Sequence, residues 1–332
     1  MIVCSVMVSG QEYDGYYTNP ILPSGADPWV VKHEGWYYYC CGVPGGIGVS
    51  RSRDLHKINP PVRVWKAPEK GQWNSTCIWA PELHFWKGKW YIFYAGSSDP
   101  KNNWAFDCNV LVCDSRDPYT GNWTEKGKFQ KTEGDNFSFT GFSLDMTYFE
   151  AGGKHYVIWA QHNEVKISCL YMAQINPAEP WKIITKPMLL TTPEYDWEKV
   201  RYAVNEGPAV LKHDGKIFVC FSASGTGPEY CVGALEADEN ADLLDIVAWT
   251  KFDRPLLTSE DLVDEYGPGH NSFTKDEEGN DIFVYHARSK ECFEGKCGYS
   301  DNDPLQDPCR HARIHTVEWT ADGKPILNGR EK

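Results

Sequence analysis

The chain has 332 residues, of which 41 % are hydrophobic and 24 % charged, an ordinary globular balance with enough apolar residues for a sizeable core. A net charge of -13 and the lack of a basic stripe argue against nucleic acid and against an anionic membrane surface, and favour a neutral or weakly charged ligand. No apolar run approaches the roughly 18 residues of a membrane-spanning helix.

The chain opens with "MIVCSVMVSGQ", apolar but without a basic start or a clear cleavage site, so it reads better as a first strand or a trimmed terminus than as a signal peptide. With twelve cysteines, this favours a cytoplasmic protein with reduced thiols, secretion with a trimmed signal being the alternative. From there the elements recur. "WVVKHEGWYYYCC", "LHFWKGKWYIFYAG", "MTYFEAGGKHYVIWAQ", "AVLKHDGKIFVCFSAS" and "SFTKDEEGNDIFVYHAR" each read as a short apolar strand, a polar turn with glycine, and a strand dense in aromatic and β-branched residues. The turn glycines are Gly35, Gly88, Gly153, Gly215 and Gly279; glycine supplies the positive φ of a tight hairpin. Further alternating strands follow each hairpin, "NVLVCDSRDPYTGNW" and "ARIHTVEWTADG" among them.

Four strands in about 60 residues, five times over, predict an all-β fold: a five-bladed β-propeller of four-stranded antiparallel blades around a central channel. The inner hairpins are expected near 28–41, 83–96, 146–161, 208–224 and 271–288 of a single catalytic domain spanning 1–332. Helical periodicity is nearly absent; "ADENADLLD" has room for one short helical turn.

Just ahead of each hairpin stands an ionisable residue: Asp27, Glu82, Asp145, Glu206 and His270. The first strand of a propeller blade lines the channel, so these five should converge at one mouth. Carboxyl groups crowded there acquire divergent pKa values and can divide acid and base roles. Glu82 reads as a supporting hydrogen-bond partner.

The blocks "NPILPSGADPWV", "WAPELHFWKGKWYIFYAG", "SLDMTYF", "NEGPAVLKHDG" and "GPGHNSF" resemble those of glycoside hydrolase family 43 over residues 19 to 319. The resemblance implies a five-bladed propeller and inverting hydrolysis of arabinosyl or xylosyl linkages. It implies Asp27 as catalytic base, Asp145 as the residue that tunes and orients the acid, Glu206 as the acid, and His270 beside a structural, largely water-coordinated calcium ion. No organic cofactor is expected. Inverting hydrolysis needs a protonated carboxyl and an ionised carboxylate about 6.5–9.5 Å apart, and the negative charge of Asp145 is expected to hold Glu206 protonated. Arg288 in "YHAR" is a candidate for sugar hydroxyls, Trp79 for sugar stacking, and Phe142 and Ser143 for the pocket lining. A structural reading of each residue alone is a salt bridge for Arg288 and core packing for Trp79.

The expected activity is an exo-acting α-L-arabinofuranosidase on arabino-oligosaccharides, arabinan or arabinoxylan. β-Xylosidase and endo-arabinanase of the same fold are the alternatives. The two-domain β-xylosidases of the family carry a further β-sandwich for which 332 residues are expected to leave no room. A non-catalytic carbohydrate-binding propeller should lack at least one of Asp27, Asp145 and Glu206, and all three are present.

Two smaller features remain. Cys292, Cys297 and Cys309 flank a Gly/Asp-rich loop that has room for one disulfide, and without a histidine at finger spacing they make a poor zinc signal. The polar segment from Ser289 to Pro308 is expected to form part of the pocket wall. Sequons at Asn74, Asn122 and Asn136 would matter only in a secretory eukaryotic setting.

Overall fold

A computed structural model describes residues 18–99, 105–299 and 301–328. Each predicted hairpin is present. The inner strands are β1 (Trp29–His33), β5 (Thr76–Trp86), β9 (Ser143–Ala151), β14 (Asn205–His213) and β18 (Glu265–Lys275). Each turns back through its glycine into β2 (Trp36–Val43), β6 (Lys89–Ser97), β10 (Lys154–His162), β15 (Lys216–Ala223) or β19 (Asp281–Ser289). The turn glycines take φ values of 72° to 90°, the left-handed region that Cβ-bearing residues resist.

Sheets then grow outward in sequence order, antiparallel throughout. β3 (Gly46–Ser52) and β4 (Val62–Lys66) complete blade I; β7 (Asp107–Cys113) and β8 (Trp123–Lys128) complete blade II. Blade III adds β11 (Ser168–Asn176) and β12 (Glu179–Ile183), with a fifth strand, β13 (Met188–Thr191), also on β11; blade IV adds β16 (Cys231–Asp238) and β17 (Thr250–Lys251). The inner strands touch one another in order, β1 with β5, β5 with β9, β9 with β14 and β14 with β18, and β18 returns to β1. That closed sequence of contacts is the five-bladed propeller.

Five separate apolar clusters fill the spaces between consecutive blades. Cys40 and Leu83 lie between I and II; Phe93 and Trp159 between II and III; Ile158 and Phe221 between III and IV; Phe218 and Phe283 between IV and V; Tyr39 and Ile282 between V and I. Both faces of each middle strand are therefore buried, which explains sequences such as "IFVCFSA" with almost no polar alternation. The adjacent Cys40 and Cys41 point to opposite faces, into different clusters.

Blade V departs from the four-strand expectation. Its ladder is β18, β19 and β20 (His311–Thr316), and the remaining edge is met by the N-terminal segment, where Leu22 bridges Ala312. Asn19 extends the seam: its Nδ2 donates to the Ile314 carbonyl and its Oδ1 accepts the Ile314 N–H, each at 2.9 Å. Residues 295 positions apart thus close the ring. The stretch "ADENADLLD" forms the end of β16 and turns, with a 3₁₀ turn only afterwards, at Ile246–Ala248. An unforeseen four-residue helix, α1 (Lys290–Phe293), opens the Ser289–Pro308 segment. Asn74 is fully buried and donates to Tyr94 and Glu125, so its sequon is closed to a glycan.

Candidate active site

The heads of the inner strands share a backbone device invisible in the sequence. Ala80, Asp145, Gly207 and His270 all have positive φ, of 42°, 51°, 54° and 45°. Each begins a two-residue bulge: 80–81 lie opposite Tyr94, 145–146 opposite Trp159, 207–208 opposite Phe221 and 270–271 opposite Tyr285. Asp27, just ahead of β1, has φ 52°. Such bulges re-aim side chains beside active sites, and left-handed non-glycine residues carry strain of order 1–3 kcal/mol each. Asp145 and His270 are the left-handed residues themselves, Glu206 precedes its own, and Glu82 follows its own by two. Glu82 is held by Thr147 and by His84 and, buried, stands close enough to Asp145 to be raised by its charge as well.

Asp27, Asp145, Glu206 and His270 converge. His270 Nδ1 stands 3.4 Å from Asp27 Oδ1, and donor atoms of Asp145, Glu206 and His270 lie within 4.8 Å of one another. Several buried groups fix them. The Gly207 N–H donates to Asp145 Oδ2 at 3.0 Å, joining blades III and IV. The Tyr230 hydroxyl donates to Glu206 Oε1 at 2.8 Å. The His270 N–H donates to Ser222 Oγ at 2.7 Å. Asn205 anchors the start of β14: its Nδ2 donates to Glu198 Oε1 at 2.9 Å, and Lys251 pairs with that same carboxylate at 2.6 Å. Gly269 is required, since a Cβ there would stand 2.3 Å from the Tyr230 ring.

Sequence reasoning missed three residues around Asp27. Arg310 Nη1 pairs with Asp27 Oδ1 at 3.2 Å, while its Nη2 donates to the Leu305 carbonyl at 2.7 Å. The Asp27 N–H donates to His286 Nδ1 at 3.2 Å, so this fully buried imidazole carries its proton on Nε2. Tyr230 stacks on His286 with ring centroids 5.6 Å apart. Arg310 lies in "CRHAR", directly before β20, but nothing in that string shows that it faces a residue 283 positions away.

The protonation pattern differs from the one expected. Burial, first of all, raises the Glu206 carboxyl above its ordinary range; His270 and the Tyr230 hydroxyl lower it, and Asp27 raises it. Burial also pushes Asp145 up to about 7, with His270 opposing and Glu206 and Asp27 adding. Burial rather than the charge of Asp145 is thus the leading cause of the raised acid, and Asp145 holds its own proton up to near neutral pH. Burial lowers His270, but Asp27, Asp145 and Glu206 outweigh it and leave the imidazole above its usual value. Glu82, buried beside Thr147 and 3.1 Å from His84 Nε2, is raised well above the carboxylate range by burial, while burial pushes His84 down to about 3.

The remaining candidates form the surroundings. Arg288 is buried, with Nε on Asp307 Oδ2 and Nη2 on the Pro304 carbonyl, each at 2.7 Å; among the described residues its Nη1 has no hydrogen-bond partner. Trp79 is half-buried against Phe106, 4.5 Å between centroids. Phe142 stacks on His162 at 3.8 Å. Ser143 is fully buried, its hydroxyl donating to the Phe106 carbonyl.

Calcium takes six to eight oxygen ligands. Asp145, Glu206 and His270 bring two carboxyl groups and a nitrogen within one ion's reach; with both carboxyls and the imidazole raised they do not form a closed protein cage, and a cation beside them would keep most of its own water.

The sequence profile described as Glycosyl hydrolases family 43 matches residues 17–325. The chain belongs to this family. It is 40 % identical over 317 residues to an extracellular exo-α-(1→5)-L-arabinofuranosidase of Streptomyces avermitilis, covering 93 % of this chain and 62 % of that protein. It is 38 % identical over 321 residues to α-L-arabinofuranosidase 43 of Humicola insolens, with the same two coverages. The chain therefore spans a little under two thirds of the length of these relatives. The crystal structure of an α-L-arabinofuranosidase from Lactobacillus brevis superposes with a TM-score of 0.83 at 38 % identity, over 93 % of this chain and 95 % of that one. The family 43 fold and the five-bladed ring reached from the strand contacts agree.

Proposed function

We propose that the protein is an inverting, exo-acting glycoside hydrolase, an α-L-arabinofuranosidase that releases terminal arabinose from arabino-oligosaccharides, arabinan or arabinoxylan. The observation that carries this reading is the convergence of Asp27, Asp145 and Glu206 on His270 at the heads of separate blades. The relatives at 38–40 % identity, which are α-L-arabinofuranosidases, support the choice of sugar.

In this reading, protonated Glu206 delivers its proton to the glycosidic oxygen as the bond to C1 breaks. Asp27, faced by Arg310, takes a proton from the water that attacks C1 from the opposite side, and the product leaves with inverted configuration. Asp145 holds the Gly207 N–H and so orients Glu206 next to it. Arg288 Nη1 supplies a buried donor for sugar hydroxyls, and Trp79 and Phe142 supply ring faces, with Ser143 behind them holding the Phe106 backbone. A calcium ion, if bound, would be held through its own water beside His270 and would supply positive charge next to the Asp27 carboxylate. The substrate is a neutral pentose-containing oligosaccharide or polysaccharide, in keeping with the acidic chain. We propose a cytoplasmic protein, with secretion as the alternative that the Cys292–Cys309 disulfide favours.

The test is a panel of 4-nitrophenyl pentosides together with arabinan and arabinoxylan, with products identified and the first-formed anomer read by NMR. Arabinose released with inversion is expected, and Glu206→Ala should lose turnover of poor leaving groups by about 10²–10⁴-fold. Xylose release or internal cleavage would replace the arabinofuranosidase reading. An absence of pentoside hydrolysis would reject an enzyme altogether.

A further inference from the structure

The segment between β19 and β20 carries chemistry that hydrolysis does not use. A disulfide joins Cys292 of α1 to Cys309, two residues ahead of His311. A third thiol, that of the half-buried Cys297, stands with its Sγ 3.1 Å from Cys309 Sγ and accepts the Tyr299 N–H at 3.4 Å. On the far side, Cys292 Sγ lies 3.6 Å from His311 Nε2.

Three sulfurs and an imidazole offer two chemistries, a tetrahedral metal site or thiol–disulfide exchange. The imidazole tautomer separates them. The Ser24 N–H, which can only donate, points at His311 Nδ1 at 3.0 Å. A neutral imidazole that accepts at Nδ1 carries its proton on Nε2. That N–H faces the sulfur as a donor, whereas a metal would need the lone pair of the same nitrogen. Burial pushes His311 down to about 4, which keeps the ring neutral.

We propose that Cys292, Cys297 and Cys309 form a thiol–disulfide exchange site, in which the 292–309 and 297–309 bonds interconvert and low-molecular-weight thiols or disulfides enter through Cys297. Cys297 releases its proton to solvent and its thiolate attacks Cys309 Sγ. The new S–S bond forms as the Cys309–Cys292 bond breaks, and the electron pair of the broken bond leaves on Cys292 Sγ, where His311 Nε2–H donates to the new thiolate. One disulfide and one thiol stand on each side, so no oxidant or reductant is consumed. Cys309 stays bonded in both isomers, while the sequence separation that the bond spans changes from 17 to 12 and α1 is released from the bond.

The loop so tied also holds the arginines of the site. The Cys309 N–H donates to Asp307 Oδ1 at 2.9 Å, Asp307 grips Arg288, and Leu305 grips Arg310, which faces Asp27. Exchange at the sulfurs therefore acts on a segment that reaches the carboxylate cluster.

The test uses the full chain, equilibrated in a buffer of reduced and oxidised glutathione, quenched in acid, alkylated and digested without reductant for mass spectrometry. Both 292–309 and 297–309 linked peptides are expected from the wild type, and Cys292→Ser is expected to form the 297–309 bond. Cys297→Ser should keep 292–309 alone and exchange with added thiol about ten-fold more slowly or less. Wild type holding only 292–309 after equilibration would overturn the proposal. So would free thiols at 297 and 309 in Cys292→Ser, or one equivalent of zinc in the protein purified without chelator.

Discussion

The Tyr230 hydroxyl donates to Glu206 Oε1 at 2.8 Å, and this bond opposes the burial that raises the Glu206 carboxyl. A donor to a carboxylate favours the charged form. Tyr230→Phe removes it, so the Glu206 proton persists to higher pH. The alkaline limb of kcat/KM should move upward, by up to about one pH unit. pH–rate profiles of the two proteins check this; a limb that stays put or moves down contradicts the acid role of Glu206.

Asp145 carries a different signature, in stability. Its carboxyl is pushed up to about 7, first by burial, against an ordinary value of 3.8. The folded chain therefore binds a proton that the unfolded chain has released across that window. The associated stability is fully present below about pH 4 and is lost as pH rises through about 7. Asp145→Asn retains an oxygen for the Gly207 N–H but has no proton to lose. Melting temperatures at pH 5 and pH 8 should fall further in the wild type than in the variant.

Arg310 touches Asp27 with one nitrogen and the Leu305 carbonyl with another. A lysine keeps the charge but cannot reproduce this forked contact. Arg310→Lys should lower kcat by about ten- to a hundred-fold with a smaller change in KM, because misplacing a reacting group costs rate more than binding. Steady-state kinetics on an aryl arabinofuranoside measure the split; an unchanged kcat would remove Arg310 from the site.

Ring closure depends on Asn19, whose amide mimics a strand backbone against Ile314. Asn19→Ala leaves a buried N–H and a buried carbonyl without partners, at a cost of about 2–4 kcal/mol. Thermal unfolding should report it, with activity at low temperature retained.

A hydrated calcium against His270 predicts that chelation lowers the melting temperature and that added calcium restores it. In His270→Ala both effects should vanish. A wild-type melting curve indifferent to chelator and to calcium would dispose of the ion.

The repeat was legible in the sequence because a hairpin is a local object. Gly35, Gly88, Gly153, Gly215 and Gly279 each sit where positive φ is needed, and the aromatic and β-branched strands beside them lie a few residues away. Five such units fixed the blade number, and their heads named Asp27, Asp145, Glu206 and His270, which the folded chain brings together. What tertiary structure alone decided is longer in range. The bulges at Ala80, Asp145, Gly207 and His270 arise from a mismatch between two strands, so no single strand announces them. Arg310 and His286 reach Asp27 across 283 and 259 residues. The burial that raises Glu206 and Asp145 exists only once blades III, IV and V have closed around them. Desolvation depends on what surrounds a group in space, and chain order does not encode it residue by residue.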